Sequence, residues 1–200
     1  MFSEFFRQPD RRGRDKYLSR LFGIFSEEVV RAWCTLPTAP YEDIGRPYLK
    51  RKHEARGHTL DFTLRDRASG KLYVAEMKCE LEFERYRYLQ LTGPEQVRHH
   101  EKNGAAFRKF MQVARDPDAI PVTVGGRPIE ISGAVLVWGA ATPQGAEAVR
   151  NAYGLHDLVT VEDMLPALQA NPPKEWSSRI DQLRVWSREL FDFLLPEEAK

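Results

Sequence analysis

Asp61, Glu76 and Lys78 are the residues whose types and spacing could do chemistry. They lie within "HTLDFTLRDRASGKLYVAEMKCE", residues 58–80. The run "LYVAEMKCE" breaks its apolar pattern with an acid and a base two residues apart. A strand interior is a poor place for two charges unless they are needed there. If "DRASGK" turns between Ala68 and Ser69, Asp61 lies across from Glu76 and Thr59 across from Lys78. Opposed residues of an antiparallel pair point to the same face, with Cβ atoms about 4.5–5.5 Å apart. Asp61, Glu76 and Lys78 then converge on one side.

That side suits metal-assisted phosphodiester hydrolysis. Two close carboxylates repel, and one of them normally keeps its proton. A divalent cation relieves the conflict. Mg²⁺ prefers oxygen ligands and takes one or two carboxylates while keeping several waters. It can activate water and polarise a phosphoryl oxygen. A nearby ammonium can hold the attacking water or stabilise charge on the phosphate. The competing reading is a surface Asp–Lys–Glu network worth little energetically. Spacing alone favours that network. The apolar flank "LYVA" and the matched register reverse the preference. The opposite face pairs Leu60 with Met77, Phe62 with Ala75 and Leu64 with Tyr73, and a slip of one residue would mix the two sets.

Several elements must position these residues. Strands are expected over about 58–66 and 71–79. "DKYLSRLFGIFSEEVVRAWC", residues 15–34, reads as a helix with Leu18, Leu21, Phe22, Phe25, Val29, Ala32 and Trp33 inward. "TLPTAPYEDIGRPY" reads as a Pro-rich connection, and "YLKRKHEA" as a weak first strand. A helix is expected over about 93–115, opened by a capping box of Thr92 and Glu95 with Pro94 in its first turn. "PVTVGGRPIEI" reads as a hairpin around Gly125-Gly126 and "ISGAVLVWGA" as a buried strand. "HDLVTV" is a further short strand. Thr160 and Asp163 open a helix near 161–170. A last amphipathic helix, about 175–195, aligns Trp176, Ile180, Leu183, Trp186, Leu190 and Phe193 as a core or dimer surface. The class is α/β (α+β) around a mixed central sheet flanked by helices. One domain over 1–200 is expected, with a core at about 15–140 and a C-terminal helical extension at about 161–200.

"LDF" and "VAEMKCE", with fourteen residues between Asp61 and Glu76, resemble the PD-(D/E)xK nuclease superfamily, the restriction-endonuclease-like fold. Leu60 stands where such motifs often have proline. The resemblance implies a metal-dependent nuclease acting on DNA, with RNA left open. It implies Asp61 and Glu76 as ligands of Mg²⁺ or Mn²⁺, the Met77 carbonyl as a further ligand, and Lys78 as the catalytic lysine. The superfamily often adds a glutamate from the first helix. Glu28 is chosen over Glu27 because it borders the inward stripe through Leu21, Phe25 and Ala32. No Gln is followed by a Tyr four residues later, so the RecB-like subclass is not supported. Gln90 and Gln96 remain candidates for substrate contact. The rival function is a non-catalytic nucleic-acid-binding or assembly module that kept the fold.

Charge adds a direction. Residues 1–115 carry 23 Lys+Arg against 16 Asp+Glu, and residues 116–200 carry 7 against 13. A basic half favours a polyanion. Lys50, Arg51, Lys52 and Arg56 precede the hairpin as candidate phosphate contacts. Arg85 and Arg87 in "FERYRY" could stack on bases, although packing over apolar surface is the commoner role of such strings. His99 and His100 lack a companion motif. The apolar share of 42% and charged share of 30% are ordinary for a soluble globular protein. No signal-peptide h-region and no membrane span is expected, so the location expected is cytoplasmic, with Cys34 and Cys79 as free thiols.

Overall fold

The computed structural model describes residues 11–82 and 87–194. Its elements in chain order are α1 (Arg11–Thr35), β1 (Tyr41–Asp43), β2 (Pro47–Leu49), β3 (His58–Thr59), β4 (Phe62–Asp66) and β5 (Leu72–Lys78). There follow β6 (Leu81–Glu82), β7 (Arg87–Tyr88), β8 (Gln90–Leu91), α2 (Pro94–Asn103), α3 (Ala105–Arg115), β9 (Val122–Val124) and β10 (Arg127–Ile129). The chain continues through β11 (Ala134–Trp138), β12 (Ala140–Ala141), α4 (Pro143–Tyr153), β13 (Asp157–Thr160), α5 (Val161–Ala170) and α6 (Lys174–Leu194). The described residues thus form a mixed α/β structure.

The main sheet has the order β1-β4-β5-β11-β13. β1, β4 and β5 run antiparallel, and β5, β11 and β13 run parallel. Both faces are covered, as a parallel sheet requires. β11 accordingly reads as an unbroken apolar run, "AVLVW", with every residue buried. On one side Val74, Leu136 and Trp138 pack with Phe107, Phe110 and Met111 of α3 and Val149 of α4. On the other, Phe62, Leu64, Tyr73, Ala75 and Met77 pack with Val29 and Val30 of α1 and Met164 and Leu168 of α5. The expected hairpin register holds, with Phe62 across from Ala75 and Leu64 across from Tyr73.

The strand expected over 58–66 is broken at Leu60–Asp61. Segments 41–49 and 58–66 lie side by side, and both change sheets midway. β1 pairs with β4 in the main sheet, and β2 pairs with β3 in a four-stranded sheet of order β10-β9-β2-β3. Across the joint, Thr63 N–H donates to the Gly45 carbonyl at 2.7 Å and Leu60 N–H to the Pro47 carbonyl at 3.0 Å. Thr59 therefore lies across from Tyr48 rather than Lys78. Leu60 is buried with the α3-side core, not on the Met77 side.

Other expectations are corrected by local chemistry. The helix foreseen over 93–115 is two helices, because Gly104 is extended (φ −114°) between α2 and α3. Glu95 does not close a capping box. Gln96 Oε1 accepts from Thr92 N–H at 2.7 Å instead, while Pro94 opens α2 as expected. β1 arises within the connection read as irregular, and the first strand stops at Leu49. α4 was not foreseen, although Thr142 caps it, Pro143 opens it and Gly154 (φ 68°) closes it. Leu21 of α1 is 45% exposed rather than inward. α6 packs Trp176 against Phe25 with ring centroids 6.2 Å apart, but Trp186, Leu190 and Phe193 further along are exposed. The hairpin at Gly125-Gly126 forms with both residues at positive φ, and Thr160 caps α5 as the sequence implies. No helix among the described residues is long and apolar enough to cross a membrane.

Leu60 is fully buried at the joint. Leu60→Ala is expected to cost about 2–5 kcal/mol through lost burial and the cavity left behind. Leu21→Ala should stay within about 0.5 kcal/mol, as surface changes usually do. Urea unfolding of both variants checks this, and equal costs would contradict the packing described.

Candidate active site

The sheet change at Leu60–Asp61 leaves β5 with unpaired main chain. A residue in a strand presents its N–H and C=O to the same neighbour. Met77 is the position at which that neighbour has departed. Buried main-chain polar groups must be satisfied. Asp61 Oδ2 accepts the Met77 N–H at 2.9 Å, and Lys78 Nζ donates to the Met77 carbonyl at 3.0 Å. Lys78 Nζ also donates to Glu76 Oε1 at 2.7 Å. The three residues singled out in the sequence thus meet around the Met77 peptide. Asp61 reaches the Met77 N–H with one oxygen, and its carboxyl lies close enough to that of Glu76 for the two to interact.

Glu76 is 6% exposed, so its charge is costly. Burial pushes its carboxyl up, to about 7; Lys78 opposes the rise and the Asp61 carboxylate adds to it. Lys78 is fixed from the other side by α3, with Nζ 5.3 Å from the Phe107 ring centroid. The face carrying Glu76 is therefore a covered face and not a solvated ion network.

Glu28 of α1 points elsewhere. It pairs with Arg179 of α6 at 3.3 Å and with Arg31 at 3.5 Å. Glu27 is the acid linked to the site. Arg46 Nη2 lies 3.2 Å from Asp61 Oδ1 and 3.6 Å from Glu27 Oε2. Among the described residues, no three His, Cys, Asp or Glu side chains gather closely enough to hold a metal by themselves. Two carboxylates and a carbonyl are nevertheless an all-oxygen set of the kind that Mg²⁺ or Mn²⁺ accepts with water completing the shell. A cation would also offset the burial, and the smaller repulsion from Asp61, that hold the Glu76 carboxyl up.

Comparison with known proteins returned no matching family model, no matching curated protein and no matching solved structure.

The basic residues divide. Lys50, Lys52 and Arg56 are exposed on the loop between β2 and β3. Arg51 is engaged in holding that loop, pairing with Glu54 at 3.9 Å and donating to Gln112 Oε1 of α3 at 2.8 Å. Lys109 of α3, unremarked in the sequence, pairs with Glu54 and pins the loop from below. Arg87 pairs with Glu82 at 2.6 Å, and Arg85 lies outside the described residues. Gln96 is committed to Thr92 and to the Gln90 carbonyl. His100 lies against Trp138 and Phe107, with Nε2 3.0 Å from Glu80 Oε1, and holds the Glu80 carboxyl below its usual range. Cys34 and Cys79 are free, and burial pushes both thiols up to about 12, which keeps them from acting as nucleophiles. Arg46 and Lys109 were missed because their partners are distant in sequence, and Glu27 was set aside for Glu28 because its link to Arg46 is equally distant. Arg46 had one visible signal, its place in "GRPY" just upstream of the basic run.

The raised Glu76 gives a signed pH prediction. A carboxyl whose folded pKa exceeds its unfolded value stabilises the fold fully below about pH 4.5 and loses that contribution as pH rises through about 7. In chelator, the Tm of wild type relative to Glu76→Gln should therefore fall between about pH 5 and pH 8 and level off above. A difference in Tm that does not change with pH would contradict the burial of Glu76.

Proposed function

We propose that this chain is a metal-dependent nuclease that hydrolyses phosphodiester bonds in DNA, with the restriction-endonuclease-like fold and a cytoplasmic location. The observation that carries the reading is the meeting of Asp61, Glu76 and Lys78 around the Met77 peptide. The mixed sheet with α1 on one side and α3 on the other is consistent with that fold.

Asp61, Glu76 and the Met77 carbonyl would hold Mg²⁺ or Mn²⁺. Such an ion supplies Lewis acidity toward a phosphoryl oxygen and lowers the pKa of water. The protein's own groups do the rest. Glu76 must be ionised to serve, so its raised pKa makes the site sensitive to pH near neutrality. Lys78 Nζ already points into the site and is anchored by Glu76 and the Met77 carbonyl. Its ammonium donates to the attacking water or to a non-bridging phosphate oxygen as negative charge develops. Hydrolysis adds water across one P–O bond and leaves a phosphate monoester and a hydroxyl. Lys50, Lys52 and Arg56, exposed beyond the joint, supply phosphate contacts that fix the strand without reading its sequence.

A second reading rests on one observation. Arg46 and Lys78 already give each carboxylate a cation, so the site is balanced without a metal. On that reading the chain is a nucleic-acid-binding or assembly module.

Plasmid, linear and single-stranded DNA, with RNA alongside, incubated with Mg²⁺ and with chelator, decides between the two. Metal-dependent cleavage is expected from wild type. Lys78→Ala should lower the rate on the order of 10²–10³-fold, as removal of one such donor typically does, and should still bind DNA. Tight binding with no cleavage of any substrate would establish the binding module. Wild-type rates from Lys78→Ala would remove this site from the reaction.

A further inference from the structure

Arg46 occupies a built position. Its main chain is fixed at the joint by the two hydrogen bonds on either side of it, Thr63 N–H to the Gly45 carbonyl and Leu60 N–H to the Pro47 carbonyl. Those bonds set residue 46 directly across from residue 61. Among the described residues the guanidinium pairs with two acids, at 3.2 Å from Asp61 and 3.6 Å from Glu27, and its charge also reaches Asp43. The side chain is 53% exposed, so it can leave without repacking a core. Glu27 keeps Arg31, at 2.8 Å, when Arg46 departs. A monovalent cation thus stands on the carboxylate that a divalent ion would use. The two cations repel at that range, so each weakens the other's hold on Asp61.

We propose that Arg46 is a displaceable counter-cation of the carboxylate pair: it neutralises Asp61 until a divalent metal takes its place, and the released guanidinium then binds a non-bridging phosphate oxygen of the nucleic acid. The inference rests on the nuclease reading. The guanidinium suits the second role because its planar fork matches phosphate oxygens and keeps its charge at any working pH. The device leaves the apo site neither unpaired nor strongly repelled, and it couples metal loading to substrate contact through one side chain.

The test titrates the full chain with Mn²⁺, reading free Mn²⁺ by electron paramagnetic resonance, for wild type, Arg46→Met, Arg46→Lys and Asp61→Asn. Loss of a partly exposed ion pair corresponds to roughly a fivefold change in affinity. Arg46→Met should therefore bind Mn²⁺ about fivefold more tightly than wild type, through loss of a competitor. Arg46→Lys, which keeps the charge, should stay near wild type, and Asp61→Asn should bind weakly. Affinity for a DNA duplex, measured in Ca²⁺, should nonetheless fall in Arg46→Met. Equal or weaker Mn²⁺ binding by Arg46→Met, with Asp61→Asn still impaired, overturns the role of Arg46 and leaves the metal site standing. Tightening in Arg46→Lys as large as in Arg46→Met also overturns it. Absence of Mn²⁺ binding by every protein overturns the metal site and this inference together.

Discussion

The Met77 peptide is the constraint on which the site depends. The chain leaves the main sheet at Leu60–Asp61, and its N–H and C=O lose their strand partner there. An unsatisfied buried main-chain group costs on the order of 1–3 kcal/mol. The Asp61 carboxylate and the Lys78 ammonium satisfy the two groups from side chains that lie on either side of the gap. The same two contacts deliver an acid and a base to one place. Placement of the residues that could do chemistry is thus a by-product of completing a ladder.

Burial then sets the electrostatics. β5 lies between β4 and β11, and helices cover both its faces. Val74 and Glu76 share a side because alternate residues of a strand do. Glu76 follows Val74 into a region closed by α3, where its charge has few partners other than Lys78 and is opposed by Asp61. A buried ion pair rarely adds net stability, since desolvation offsets the Coulombic gain. The cost of holding Glu76 at this position is therefore easier to understand as serving chemistry than as serving the fold.

Much of this arrangement was legible in the sequence, and for a physical reason. Alternation along "LYVAEMK" and the turn "DRASGK" determine the register, which is why the pairing of Phe62 with Ala75 and Leu64 with Tyr73 could be read directly. The break one residue beyond was not legible. It depends on β2, whose pairing with β3 draws Leu60 into another sheet, and nothing local in "HTLDF" announces a distant competitor. The choice of Glu28 followed the helical stripe, but the stripe shows only which face packs. Glu28 is claimed by Arg179, 151 positions away, and Glu27 by Arg31 and Arg46. Gly104 is similar: a helix pattern continues through it, while its extended backbone sets the turn between α2 and α3. Signals for α4 were present at Thr142-Pro143 and Gly154, where Thr142 caps the helix and Gly154 closes it at positive φ.

The central claim is that the joint at Leu60–Asp61 gathers oxygens for a divalent cation. Anomalous diffraction from crystals soaked in Mn²⁺ tests it most directly. The account predicts a peak within ligand distance, about 2.0–2.3 Å, of oxygens from Asp61, Glu76 and the Met77 carbonyl, with Lys78 Nζ turned off that carbonyl. A map with no peak at the joint, with the Asp61, Arg46 and Lys78 contacts unchanged at saturating Mn²⁺, would contradict it.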